Sequence, residues 1–235
     1  SYLKVKIGSS FSNSDVRNYS NFSSDISFKT RPSSLHFMEI GSIRKFENFN
    51  TDLIEKGIIH NHFYLNYNMN THFNLGWFTQ YYFTLQSDNN VRNLLFTSLY
   101  YSVIKKPLLK IGVNYQTIHF KNQLPTVYFS PDKFHAVEGF VDLIKDENSI
   151  KNNGLFFGLT AACGVQYIEE NEGQLTYRFN TKLGYKFNAR SLINVYGSHS
   201  NIASTTAAGF TITEVGFRFI FHFGKKPVFN YKQIR

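Results

Sequence analysis

Along most of the chain, hydrophobic and polar residues change places at every second position. In TYRFNTKLGYKF, residues 176–187, Tyr177, Phe179, Leu183, Tyr185 and Phe187 share one parity, while Arg178, Asn180, Lys182 and Lys186 share the other. Successive side chains of a strand point to opposite faces, so a period of two predicts a strand with one apolar and one polar surface. The pattern returns at 155–167, where Leu155, Phe157, Leu159, Ala161, Cys163, Val165 and Tyr167 oppose mostly small or polar residues. It returns again near the end, where Val215, Phe217, Phe219, Phe221 and Phe223 oppose Gly216, Arg218, Ile220 and His222. Residues 58–70 set Phe63, Leu65, Tyr67 and Met69 against His62, Tyr64, Asn66, Asn68 and Asn70.

About twelve such segments are expected, at 2–11, 19–30, 35–48, 58–70, 75–86, 93–104, 108–120, 134–145, 155–168, 175–187, 191–200 and 211–223, separated by clusters of Asn, Asp, Ser, Gly and Pro. Their length matches the roughly 9–11 residues of a tilted membrane-crossing strand better than the five or six of a soluble one. The connections tend to alternate in length. Short turns fall at 31–34, 71–74, around Lys105, Lys106 and Pro107, and at 188–190, with a longer one at 146–154. Longer loops such as KNQLPTVYFSPDK lie between them. Outer-membrane barrels join strands in this way, with short periplasmic turns and long outer loops. The expected fold is therefore all-β, a transmembrane antiparallel up-and-down barrel of about twelve strands. The barrel is expected to occupy residues 1–223, followed by a basic extension at 224–235.

Composition decides which face is greasy and why. The 25 Phe and 15 Tyr residues coexist with a mean hydropathy of only −0.28. A wall with one face in lipid and one in water averages to such a value. No run approaches the roughly 18 apolar residues of a spanning helix. A ridge of four phenylalanines exposed to water would invite aggregation, whereas acyl chains accommodate it. Lipid-facing positions are accordingly expected at Phe179, Tyr185, Phe187, Phe217, Phe219, Phe221 and Phe223, and lumen-facing positions at Arg178, Lys182, Lys186, Arg218, Glu138, Asp142 and His222. A soluble sandwich that binds carbohydrate through exposed aromatics is the competing fold. The net charge of +9 is spread along the strands rather than gathered into a stripe, which argues against a nucleic-acid partner. The single cysteine excludes an internal disulfide framework. Ser1 opens without a charged and apolar leader, as in a mature or truncated product.

Two short stretches resemble known families. GFRFIFHF, Gly216 to Phe223, resembles the terminal strand of bacterial outer-membrane proteins, although here twelve residues follow it. VYFSPDKF, Val127 to Phe134, resembles an element in the C-terminal barrel of cellulose-synthase-operon outer-membrane export proteins and their tetratricopeptide-linked relatives. The resemblance implies a bacterial outer-membrane location and a role in polysaccharide export.

Candidate chemistry is sparse. GSHSN, Gly197 to Asn201, places His199 and Ser200 side by side, and an outer-membrane lipid hydrolase using them is one alternative. Adjacent residues on a strand face opposite ways, however, so the two are poorly placed to share a proton. Glu138 and Asp142 lie four apart on one face and are expected to enter charge pairs with Arg178, Lys182 or Arg218. No phosphate loop, metal-ligand spacing or nucleotide fingerprint is present, so neither metal nor cofactor is expected. The chain is expected not to be an enzyme. It is expected to form a pore or export channel for a polar or anionic solute or polysaccharide, or the barrel subunit of a larger envelope complex. Its expected partners are outer-membrane lipid and other envelope proteins.

Overall fold

Residues 1–13, 18–33, 35–46, 56–125, 128–202 and 211–221 are described by a computed structural model. The alternating segments are strands, and each pairs with the next: β1 (Tyr2–Asn13), β2 (Asn18–Ser33), β3 (His36–Phe46), β4 (Ile59–Asn70), β5 (Leu75–Gln86), β6 (Val91–Lys105), β7 (Leu108–Phe120), β8 (Phe134–Lys145), β9 (Gly154–Ile168), β10 (Gln174–Lys186), β11 (Ser191–Ser200) and β12 (Ile212–Phe221). They form one sheet of twelve strands in sequence order, with antiparallel pairing at every step from β1–β2 to β11–β12. This is the up-and-down barrel wall expected from the sequence. β5, β7, β8 and β11 match the expected segments end for end. The sandwich alternative fails, because the phenylalanines it would bury between two stacked sheets are exposed on the outside of one.

From β4 to β12 the odd-numbered residues face outward. Leu99 is 60% exposed, Leu183 60%, Phe217 64% and Phe219 58%, values that put an apolar skin around the wall. On β2 and β3 the parity is reversed, with Ile26, Phe28 and Ile40 outside and Ser27 buried. No helix among the described residues is long and apolar enough to cross a membrane. Strands β2 to β11 are paired by ladders on both sides, which satisfies their backbone amides as a crossing in lipid requires.

The inward residues form three apolar clusters. At the end where β7 leads into β8, Ile118, Phe120, Tyr128, Phe134 and Ala136 pack with Ile58, and Ile168 and Ile202 join them. Tyr100, Phe140 and Ala162 form a second cluster halfway along the strands. Ile150, Phe156 and Leu192 fill the end where β8 turns into β9. Contacts among residues from the ends of β4, β7, β8, β9 and β11 require the sheet to curl. Each fully buried Phe or Leu of these clusters contributes about 1.5–3 kcal/mol relative to exposure.

Candidate functional site in the lumen

The inner wall is shaped first by glycines. Gly41, Gly76, Gly112, Gly184 and Gly216 lie directly opposite Tyr64, Tyr100, Phe140, Phe156 and Tyr196 on neighbouring strands. A Cβ added at Gly41 would fall 2.6 Å from the Tyr64 ring, and one at Gly112 2.7 Å from that of Phe140. At Gly76, Gly184 and Gly216 it would penetrate the facing ring. Five aromatic rings therefore lie against bare backbone, which keeps them close to the wall. Such cross-strand aromatic cover of a glycine is a device of curved sheets.

Charges come next. Arg178 Nη2 donates to Glu138 Oε2 at 2.9 Å, across β9, with Glu138 only 3% exposed. Lys182 Nζ lies 2.8 Å from Glu147 Oε2. Lys186 is fully buried and donates to the carbonyls of Ile150 at 2.8 Å and Glu147 at 3.3 Å. Asp142 shares the mid-lumen cavity with Arg178. Arg218 occupies an inward-parity position opposite Asn194 and is exposed. Phe179, Phe187, Phe217, Phe219 and Phe221 lie exposed on the outer face, and Tyr185 packs edge-on against Phe187. His222 and Phe223 lie outside the described residues, as does the basic extension at 224–235.

Both ends of the lumen are furnished by connections. The β8–β9 turn contains a 3-10 turn, Glu147–Ser149, capped by the Asp146 side chain accepting from the Asn148 amide. It folds inward, so that Ile150 is buried beneath Phe156 and Leu192 while Glu147 meets Lys182. At the other end the β7–β8 segment, 121–133, inserts Tyr128. Asn90 Nδ2 donates to the Tyr128 hydroxyl at 2.7 Å, and that hydroxyl lies 2.9 Å from Asp88 Oδ2 and 3.1 Å from Gln86 Oε1. With one proton it serves one acceptor at a time. Burial, helped by the Asp88 charge, pushes this phenol above the usual tyrosine range. The far side of the segment is held by Glu169, whose carboxylate accepts from the amides of Asp132 at 2.7 Å and Lys133 at 3.4 Å.

Beneath that segment runs a polar row. Gln86 Nε2 donates to His60 Nε2 at 2.9 Å, His62 Nδ1 lies 2.8 Å from Thr84 Oγ1, and Arg92 reaches Thr84 Oγ1 at 3.3 Å. Between the two ends lies a cavity of about 270 Å³, bounded by Phe78, Phe96, Lys110, Asn114, Asp142 and Arg178 among others. Among the described residues no group of His, Cys, Asp and Glu is arranged to hold a metal.

Sequence reasoning placed Arg178 and Lys182 on one face with Glu138 but missed Glu147, Glu169, Tyr128, the histidine row and the glycine seats. The glycines were accessible in principle. Once a hairpin register is fixed by its turn, Gly112 and Phe140 fall opposite each other.

The wall, its apolar skin and its polar interior define the class, an all-β fold of the outer-membrane β-barrel type. Solved structures to which the chain is similar include two outer-membrane proteins. A bacterial polysaccharide outer membrane secretin matches with a TM-score of 0.72 at 10% identity, covering 88% of this chain and 71% of the secretin. LpxR from Salmonella typhimurium matches with a TM-score of 0.46 at 7% identity, covering 86% of this chain and 88% of LpxR. No family model matches the chain, and no curated protein matches it in sequence.

The expectation that the chain is not an enzyme is corrected by this comparison, because LpxR is an outer-membrane enzyme. The likeness to LpxR is too slight to assign an activity. The His199 and Ser200 pair gains nothing from it. His199 lies on the outer face, stacked on Tyr177 and 2.8 Å from Thr213 Oγ1, whereas Ser200 accepts from the Ile202 amide.

Proposed function

We propose that the protein forms an outer-membrane passage for a polar polysaccharide, alone or as the barrel of a larger envelope assembly, in a state held shut by segment 121–133. The observation that carries this reading is the inner wall, which combines flat aromatic rings with amides, hydroxyls and locally offset charges. In this reading Phe179, Tyr185, Phe187 and the phenylalanines of β12 face lipid, while Arg178, Lys182, Lys186, Glu138 and Asp142 face the lumen. Because Arg178 and Lys182 each meet a carboxylate, the wall suits a neutral or weakly charged saccharide better than a strongly anionic one. The fold likeness to a polysaccharide secretin supports the same direction. So does the resemblance of the YFSP element to cellulose-synthase-operon export barrels, since that element supplies the Tyr128 that closes one end.

Swelling of liposomes loaded with the purified barrel tests the passage. Shortening segment 121–133 to a tight turn is expected to raise uptake of neutral oligosaccharides several-fold over the full chain. Equal and negligible uptake by both proteins rules the passage out.

A further inference from the structure

We propose that the mid-lumen cavity is a binding subsite for a single neutral sugar ring, an inference that rests on the saccharide-passage reading. A pyranose presents apolar C–H faces and a rim of hydroxyls, each of which both donates and accepts. The cavity offers complements to both. Phe78 and Phe96 stand 6.1 Å apart at 56° and remain half-exposed to it, giving apolar surfaces for a C–H face. Tyr100 is instead covered by the Lys110 ammonium, 4.3 Å above its ring.

The rim is met by two polar atoms that are buried and make no hydrogen bond within the chain, Asp142 Oδ1 and Arg178 Nε. Unsatisfied buried groups are uncommon and call for an explanation. One is an acceptor and the other a donor, a mixture that hydroxyls can satisfy and a simple ion cannot. The charge balance excludes ions for a second reason. Arg178 is already paired with Glu138 and Lys110 lies opposite Asp142 on the neighbouring strand, so each cationic group has an anionic neighbour and neither sign of ligand is favoured. The volume of about 270 Å³ sits near the lower end of roughly 300–1,000 Å³ for small-molecule sites, which selects one ring rather than an oligosaccharide.

The test uses the full chain in a detergent without a sugar headgroup, titrated calorimetrically with glucose and galactose as neutral probes, glucuronate as an anion and glucosamine as a cation. Saturable binding of the neutral probes is expected, with the charged probes at least tenfold weaker. Phe96→Ala and Asp142→Ala are expected to weaken neutral binding tenfold or more. Phe96→Tyr is expected to retain it, as is Leu99→Ala on the outer face. Heat-modifiable gel migration reports whether each variant is folded, and should Phe96→Ala not fold, Asp142→Ala and the probe series still decide. The subsite is overturned by absence of saturable binding, by charged probes binding as tightly as neutral ones, or by a folded Phe96→Ala that binds like the parent. Liposome swelling separates the two ideas. Saturable binding without passage removes the channel and keeps the subsite, and passage without saturable binding does the reverse.

Discussion

At Gly184 one hydrogen in place of a methyl decides whether Phe156 can lie against the wall. Gly184→Ala forces the ring off its seat and into the packing around Leu192, an overpacking expected to destabilise the barrel by about 1–3 kcal/mol. A fall in the temperature at which the compact gel band disappears measures it, and adding Phe156→Leu to the same chain should recover part of the loss. A second residue-scale prediction concerns the ion pair across β9. Arg178→Met leaves the Glu138 carboxylate buried without its partner, which is expected to lower stability by about 3 kcal/mol, whereas Arg178→Lys should lose much less. Denaturant titration distinguishes the two. The parity of Arg178 and Glu138 was legible from the sequence because strand period fixes it. The pair between Lys182 and Glu147 was not, because it joins a strand to a turn 35 positions away and depends on how that turn folds inward.

The strands were the legible elements and the connections were not. Two-residue periodicity marks β5, β7, β8 and β11 without ambiguity, whereas a connection has no period to betray its path. The 146–154 stretch looked too long for a periplasmic turn. Its surplus length is used to carry Ile150 into the lumen and to bring the Glu147 and Ile150 carbonyls to Lys186. Segment 121–133 likewise reads as a polar loop, yet Tyr128 and Ser130 are buried. Removing the hydroxyl in Tyr128→Phe deletes its contacts to Asn90, Asp88 and Gln86 while keeping the ring. The fraction of time the barrel conducts in planar bilayers is expected to rise several-fold with the fold intact. Because burial raises the phenol's pKa in the folded chain, the hydroxyl's contribution is fully present below its ordinary value near 10 and is lost only as pH climbs through the raised value. Conductance of the parent should therefore stay flat between about pH 6 and 9.

For the molecule as a whole, the inversion of greasy and polar faces is the organising fact, and it was readable from aromatic load and strand length. Val113 lies midway along β7 on the outer skin, 51% exposed. Val113→Arg is expected to destabilise the barrel in vesicles by about 2–4 kcal/mol if it sits near the bilayer midplane. A penalty near zero in urea titrations would place that surface in water instead.

The five ring-over-glycine contacts also bear on how the wall is put together. Each joins adjacent strands, so a hairpin displaced by two residues would set its ring against a bulkier neighbour and leave the glycine facing a hole. The five contacts fall on five separate seams, one on each of β3–β4, β5–β6, β7–β8, β9–β10 and β11–β12. Assembly thus carries its own proofreading, one strand pair at a time, with alignment checked by whether each ring finds its notch.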